Sequence, residues 1–266
     1  MTIVDSHCHV SPVWYEPVET LLFQMDRNEV AQAVLVQMLG QYDNAYQQAA
    51  VRRFPGRFAS VVGVDTTQAN AVQQLQALAD QGACGVRLRP DARSSGSDPL
   101  AIWHIAQSRN LVVSCVGTSA AFTAPQFQAL LEQVPGLNII LEHLGGSSRP
   151  DTNEDERAAR QRVIRELAAF PNVSLKVPGL GELLPRTMTA ADSNQSPFTE
   201  TTPQVLRDAL SYFGPERLLW GSDFPPVAAR EGYANALKWC RRAFKDEPAA
   251  SQAWIFGATA KRLFDF

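Results

Sequence analysis

Short runs rich in Val, Ile and Leu alternate along this chain with longer stretches that have the periodicity of an α-helix. Eight such runs can be counted in the 266 residues. Apolar strands that are each followed by a helix are typical of a parallel sheet covered on both faces. The pattern therefore predicts an α/β fold, and eight repeats of it predict a closed (β/α)8 TIM barrel, with a doubly wound open sheet as the alternative. The predicted strands are residues 3–10, 33–38, 58–65, 84–90, 111–117, 137–143, 173–179 and 217–223.

The segments that follow the predicted strands are longer and more polar than those that precede them, notably residues 144–155 and 179–201. In a barrel the loops after the strands build the active site, so the second segment is predicted to be a lid. Neither a repeat nor a linker divides the chain, and one domain over residues 1–266 is predicted. Helices are predicted at residues 70–81, 99–109, 125–133, 154–170, 202–212 and 233–244.

Composition excludes several classes of partner. With 19% charged residues and a net charge of -3, the chain has no basic surface of the kind that binds nucleic acid. No run of about eighteen apolar residues predicts a membrane span, and the amino terminus does not read as a secretory signal. The four cysteines lack the spacing of zinc or redox motifs and are predicted to be reduced thiols. A cytoplasmic protein with a small-molecule partner is expected, of unspecified oligomeric state.

Histidine is scarce, and three of the four histidines close predicted strands. His7 and His9 end the first run, and alternation along a strand turns both to the same face. His143 ends the sixth run and Asp223 the eighth. All four lie where a barrel carries its active site, which predicts a catalytic role for them. The alternatives are histidines bonded to backbone and an aspartate that caps the next helix.

Charged side chains near the other strand ends extend this candidate site. Arg87 and Arg89 share one face of the fourth run, and guanidinium groups bind carboxylates in a bidentate fork, so both are predicted to contact substrate. An ion pair across strand ends is the alternative for either. Glu182 is predicted to be a polar contact in the loop after the seventh run, and Lys176 a structural ion-pair partner. Regular pleating would turn Glu142 outward, toward the helices.

Three segments, Val-Asp-Ser-His-Cys-His at 4–9, Leu-Glu-His-Leu-Gly at 141–145 and Leu-Trp-Gly-Ser-Asp-Phe-Pro at 219–225, together resemble the amidohydrolase superfamily. They are most similar to its amidohydrolase-related branch, which contains pyrone-dicarboxylate and sugar lactone hydrolases along with some decarboxylases. The resemblance covers nearly the whole chain in the expected order.

The resemblance implies a (β/α)8 barrel in which His7, His9, His143 and Asp223 surround a divalent metal or its vacant site. Fully metallated members also carry a histidine on the fifth strand, where this chain has none and Cys115 is the nearest substitute. A catalytic zinc needs three protein ligands and an open position, which His7, His9 and Asp223 provide. A metal-independent site built from the same residues is the alternative.

The leading functional hypothesis is a hydrolase that opens a lactone, either one that bears carboxylates or one derived from a sugar. Asp223 would take the proton from the attacking water, and the histidines would donate hydrogen bonds to the carbonyl oxygen. Three alternatives remain from the sequence: a metal-dependent decarboxylase of the same superfamily, a non-catalytic binding protein on an enzyme-derived barrel, and an enzyme that hydrolyses a ring amide.

Overall fold

A computed structural model describes residues 1–187, 195–200 and 202–266. Within them, eight parallel strands pair in sequence order from β1 to β8. The ring closes where the chain after β8 meets β1: His9 N donates to Phe224 O at 2.7 Å and Asp223 N to His7 O at 2.9 Å. The predicted TIM barrel is confirmed, because a doubly wound sheet would not keep sequential order. The strands are Ile3–Cys8, Val30–Val36, Phe58–Gly63, Gly85–Leu88, Val112–Cys115, Ile139–Leu141, Val173–Val177 and Leu218–Trp220.

Each predicted strand overlaps an observed one, β2 begins three residues before its predicted start, and every observed strand ends before the predicted limit. His9, Arg89, His143 and Asp223 therefore follow their strands instead of closing them. The backbone explains part of this shortening, since His143 and Asp223 have φ values of 52° and 57°. Such left-handed conformations cannot continue a β-strand.

The helices cover the outside of the barrel, and all six predicted ones are observed within a few residues of their predicted limits. A π-helical turn, Trp254–Ala258, joins the last two. No helix in the described ranges is both long and apolar enough to cross a lipid bilayer. The helices α1 to α12 are Val18–Arg27, Ala45–Arg53, Ala71–Asp80, Ala101–Ser108, Ser119–Phe122, Pro125–Gln133, Glu154–Leu167, Gln204–Phe213, Val227–Arg230, Tyr233–Ala243, Ala249–Ala253 and Thr259–Leu263.

The barrel interior is apolar toward the amino ends of the strands. Val34, Val61, Val112 and Ile140 belong to one buried cluster that also includes Phe264 after α12. Their strand neighbours on the opposite face pack into the larger core beneath the helices. Burying each large aliphatic side chain contributes roughly 1.5–3 kcal/mol, so this half of the barrel is a packed base for the polar half.

The predicted lid lies only partly within the described residues, because 188–194 and 201 fall outside them. Its first part contains the 3-10 turn Leu180–Glu182. Farther along, Arg186 and Phe198 form an isolated antiparallel bridge, and Thr187 N donates to Pro197 O at 2.7 Å. The described part of the segment is thus folded back on itself beside the barrel mouth.

Candidate active site

A cavity of about 640 Å³ opens at the carboxyl end of the barrel. Three of the predicted catalytic residues, His9, His143 and Asp223, line it together with Arg87 and Arg89. His7 lies beneath them and is 2% exposed. The cavity therefore brings together side chains from the ends of β1, β4, β6 and β8, as the position of the four groups along the chain predicts.

An irregularity in β1 turns inward both His7, within the strand, and His9, just after it. The pairing register of β1 with β2 shifts between Asp5 and Cys8. Val4 belongs to the barrel interior whereas Cys8 packs in the core outside it, although residues four apart share a face in a regular strand. The shift thus explains how His7 and His9 can both point into the barrel although Val4, an odd number of residues earlier, also does.

His7, His9 and Asp223 form a cluster whose donor atoms fit a divalent metal. The Nδ1 of His9 lies 2.6 Å from the Val36 carbonyl oxygen, so it donates there and leaves Nε2 with its lone pair. That Nε2 lies 3.4 Å from Asp223 Oδ1, and His7 Nε2 lies 3.6 Å from the same oxygen. His7 Nε2 is buried and has no hydrogen-bond partner among the described residues. All three donor atoms lie within 4.8 Å of one another.

Asp223 is held ionised. Burial alone would raise the pKa of its carboxyl group, but His9, His143 and Arg230 outweigh burial and lower that pKa to about 2. Arg230 Nη1 donates to Asp223 Oδ2 at 2.8 Å, which leaves Oδ1 toward the two histidines. The capping alternative is not observed, since α9 begins after Pro226 and receives no side-chain cap.

His143 reaches the cavity because its backbone departs from the strand. Ile140 faces the interior, so regular alternation would turn His143 outward. Left-handed φ values at His143 and Leu144, 52° and 54°, reverse that direction. Nδ1 of His143 then lies 2.6 Å from Glu182 Oε2. Burial lowers the pKa of the imidazole, but Glu182, Asp223 and Glu142 together outweigh burial, and the pKa ends above its usual value.

Glu182, which is predicted to contact substrate, lies beside His143 in the structure. Its side chain is fully buried and is absent from the cavity wall, because the turn Leu180–Glu182 points it inward beneath His143. Arg230 Nη2 lies 2.9 Å from Glu182 Oε1. Glu182 therefore acts on the site through His143, and Arg230 joins it to Asp223.

The predicted outward direction of Glu142 is wrong. Glu142 keeps the inward parity of Ile140, two residues earlier, and it is fully buried inside the barrel. Its carboxylate accepts from Arg87 Nε at 3.1 Å and Nη2 at 2.6 Å, and from Ser114 Oγ at 2.6 Å. Burial would raise the pKa of Glu142, but Arg87 and Lys176 hold it far below its usual range.

Lys176 completes this buried charge layer, which we define as Arg87, Ser114, Glu142 and Lys176. Its Nζ lies 3.8 Å from Glu142 Oε1, the predicted kind of ion pair, and 2.6 Å from Ser114 Oγ. It also lies 2.7 Å from His7 Nδ1. Burial lowers the pKa of Lys176 to about 8 against the opposing effect of Glu142. Burial and then Lys176 lower the pKa of His7 well below its usual value, so His7 is neutral.

The fifth strand supplies a hydroxyl to the interior and not a thiol. Cys115 packs in the core outside the barrel, and burial raises its pKa well above the usual value. Its neighbour Ser114 is the inward residue, bonded to Glu142 and Lys176. Cys115 is therefore not a substitute ligand.

The two arginines of β4 have different surroundings. Arg87 is bound by Glu142 and donates Nη1 to the Gln37 carbonyl oxygen at 3.0 Å. Arg89 is exposed, and its guanidinium has no hydrogen bond or ion pair with any residue that the structure describes. The ion-pair alternative thus holds for Arg87, while Arg89 presents its fork to the cavity. His104 lies on α4, where Nδ1 contacts Asp98 Oδ2 at 2.9 Å on the surface.

The amidohydrolase family model matches residues 4–266. The chain belongs to this family. The L-fucono-1,5-lactonase of Burkholderia multivorans is 31% identical over 146 residues, 53% of this chain and 47% of that protein. The 4-sulfomuconolactone hydrolase of Hydrogenophaga intermedia is 26% identical over 189 residues, 69% of this chain and 56% of that protein. The matches thus span about half the length of these relatives.

Solved amidohydrolases share the fold over the whole chain. An amidohydrolase from Burkholderia multivorans with bound Zn superposes with a TM-score of 0.77 at 21% identity and covers 99% of each chain. A putative 2-pyrone-4,6-dicarboxylic acid hydrolase from Pseudomonas putida has a TM-score of 0.72 at 23% identity, covering 99% of this chain and 97% of its own. The resemblance read from the three sequence segments is therefore confirmed.

Proposed function

We propose that this amidohydrolase is a lactonase that opens a carboxylated or sugar-derived lactone by water attack at the barrel mouth. One observation carries the proposal: an ionised Asp223 grouped with two histidines faces a cavity that also exposes His143, whose pKa is raised. The partial relatives named as lactone hydrolases support the same reaction class. The proposal includes a small-molecule partner and a cytoplasmic location, as the composition predicts.

In the proposed reaction Asp223 accepts one proton and His143 donates one. The oxygen of water bonds to the lactone carbonyl carbon while Asp223 Oδ1 accepts its proton. A carboxylate of low pKa is a weak base, so it accepts the proton only as the new C–O bond forms. The ring C–O bond then breaks, and the leaving alkoxide takes a proton from His143. The product is a hydroxy acid, and no other reactant is consumed.

Glu182 and Lys176 act through their neighbours in this scheme. Glu182 stabilises the charged, protonated form of His143, which is the form that can give a proton to the alkoxide. Lys176 fixes the His7 ring through Nδ1, so that Nε2 faces Asp223. Both are positioning residues, because neither lines the cavity.

We further propose that His7, His9 and Asp223 bind a divalent metal, with zinc first. The unpartnered Nε2 of His7 and the free Nε2 of His9 support it, as does the zinc-bound structural neighbour. When bound, such an ion lowers the pKa of water and polarises a carbonyl group. In its absence, His7 can donate a hydrogen bond from Nε2 to the carbonyl oxygen as negative charge develops there, because its Nδ1 accepts from Lys176.

The test is elemental analysis of the purified protein combined with hydrolysis of a lactone panel before and after chelation. The panel contains glucono-1,5-lactone, L-fucono-1,5-lactone, a muconolactone and 2-pyrone-4,6-dicarboxylate. Turnover of at least one member supports the lactonase. Near-stoichiometric zinc with activity lost on chelation supports the metal site, and full activity without metal contradicts it. Binding without turnover would identify a binding protein, and carbon dioxide release from an acid substrate would identify the decarboxylase.

A further inference from the structure

A second cavity, of about 620 Å³, adjoins the active-site cavity on the side of β3 and β4. The first cavity alone is within the range of about 300–1,000 Å³ that small-molecule sites occupy. The second is therefore additional space that a single-ring lactone does not need. The residues that line both cavities are Met38, Leu39, Gln41, Arg87 and Arg89.

The wall of the second cavity is held in place by buried hydrogen bonds. Asn44 is 4% exposed, donates Nδ2 to the Gly63 carbonyl oxygen at 2.9 Å and accepts from Gly63 N at 2.9 Å. Gln37 Nε2 donates to the Asp43 carbonyl oxygen at 2.7 Å. A Cβ on Gly63 would lie 2.6 Å from the Gln41 carbonyl oxygen, so only glycine lets the loop approach β3 this closely. The cavity is thus preformed.

Charge and hydroxyl groups line this cavity. It contains the cations Arg87, Arg89 and Arg93 and the anion Asp91. Arg87 is already neutralised by Glu142, which leaves two cations against one anion. Arg93 is fixed by Nη1, which donates to the Ala92 carbonyl oxygen at 2.8 Å, while its Nε and Nη2 have no partner among the described residues. Tyr42, Thr66 and Thr67 also line the cavity, and the Thr67 hydroxyl donates to Asp65 Oδ1 at 2.7 Å.

We propose that the second cavity is a subsite for an anionic, hydroxylated unit, about the size of a uronic acid residue, linked to the lactone ring. Arg89 lies at the junction of the two cavities, and Arg93 binds the carboxylate of the second unit in a fork. The hydroxyls and Asp91 bind the hydroxyl groups of the same unit. This inference rests on the proposed lactonase activity and names the substrate class of that site.

The test compares three lactones: glucono-1,5-lactone, its 4-O-β-glucosyl derivative and its 4-O-β-glucuronosyl derivative. The two derivatives have nearly the same size and differ in a single carboxylate. The wild-type protein should have a kcat/KM for the glucuronosyl lactone about tenfold or more above that for the glucosyl lactone, because a hydrogen bond to a charged group is made only there.

Two variants locate the effect. Arg93→Met should abolish the preference for the glucuronosyl lactone, and Thr66→Trp, which fills the cavity, should reduce kcat/KM for both derivatives relative to glucono-1,5-lactone. Gln68→Trp is the matched control, since Gln68 is exposed on the same loop and lies outside the cavity wall. The subsite proposal would be contradicted by equal wild-type kcat/KM values for the glucuronosyl and glucosyl lactones. It would also be contradicted if Thr66→Trp lowered kcat/KM equally for all three lactones.

If the lactonase proposal itself is wrong, none of the three lactones will be hydrolysed, which distinguishes that failure from failure of the subsite proposal. Calorimetric binding of the ring-opened glucuronosyl gluconate then decides the subsite without catalysis. Tighter binding than that of glucosyl gluconate, lost in Arg93→Met, supports it. Equal binding of the two acids contradicts it.

Discussion

The buried charge layer and the cavity rim, which we define by Arg89, meet at the end of β4. The charged groups of the layer are paired with one another, whereas the charged group of the rim is not paired with any described residue. In the layer, Arg87, Glu142 and Lys176 are buried and each contacts the others or Ser114. At the rim, Arg89 is exposed and has no partner among the described residues. Arg87 and Arg89 are only two residues apart, yet Arg87 stabilises the barrel interior whereas Arg89 is available to bind a ligand.

The largest effect should come from Asp223, the proposed proton acceptor in the cavity between these two regions. Asp223→Asn keeps the size of the side chain but removes the proton acceptor, so kcat should fall about a thousandfold. Steady-state lactone hydrolysis measures it, with circular dichroism to verify the fold. Asp246→Asn, an exposed substitution, is the control and should keep wild-type kcat. A kcat within threefold of wild type would exclude Asp223 as the base.

Removing the anion of the buried layer should cost stability. Glu142→Gln leaves the charges of Arg87 and Lys176 uncompensated in the interior, and the free energy of unfolding should fall by about 3–5 kcal/mol. Urea denaturation measures the change. Glu19→Gln breaks an exposed pair with Arg53 and should leave the midpoint unchanged. Equal midpoints for the two variants would mean that the layer does not stabilise the barrel.

Glu182→Gln should affect catalysis and its pH dependence. Glu182 raises the pKa of His143, and the protonated imidazole is the proposed acid, so activity is lost as pH rises through that pKa. Without the carboxylate the pKa falls, and the alkaline limb of the rate profile should move to lower pH, with kcat about tenfold lower at neutral pH. Glu132→Gln, exposed on α6, is the control. An unmoved limb would show that His143 is not the acid.

NMR titration checks the same prediction without turnover. The chain has four histidines, so the ring signals can be assigned by substitution. The His143 pKa should be lower in Glu182→Gln than in the wild type, because the imidazolium loses its neighbouring carboxylate.

The smallest expected effects distinguish the roles of Arg87 and Arg89. Arg89→Met should raise KM for a carboxylated lactone about tenfold, or about 1.4 kcal/mol, with kcat and the unfolding midpoint unchanged. Arg87→Met should lower the unfolding midpoint, because Glu142 would lose its closest cation. The opposite assignment of effects would refute the contrast between layer and rim.

Much of the fold can be predicted from the pattern of apolar runs in the sequence, whereas the side-chain contacts within the site cannot. Eight apolar runs and the shared strand-end position of His7, His9, His143 and Asp223 were enough to predict a barrel with these residues at one end. Regular pleating failed at β1 and at His143, where a register shift and left-handed backbone change which face a residue occupies.

The sequence does not indicate Arg230 or Ser114 as site residues, and it predicts the wrong direction for Glu142. Arg230 carries no motif signal, because it contacts Asp223 and Glu182 only through the packing of a short helix. Ser114 was overlooked in favour of its neighbour Cys115. Glu142 could have been found, since it shares the parity of Ile140 and stands opposite the inward Arg87.

The buried charge layer also has a consequence for how such a protein can change. Its hydrogen bonds join β4, β5, the end of β6 and β7, and Lys176 extends them to His7 on β1. Only Arg87 among the layer residues also bonds to a loop at the mouth in the described structure, through the Gln37 carbonyl oxygen after β2. We therefore expect insertions that alter specificity to be tolerated in the loops at the mouth, beyond the site residues that directly follow the strands.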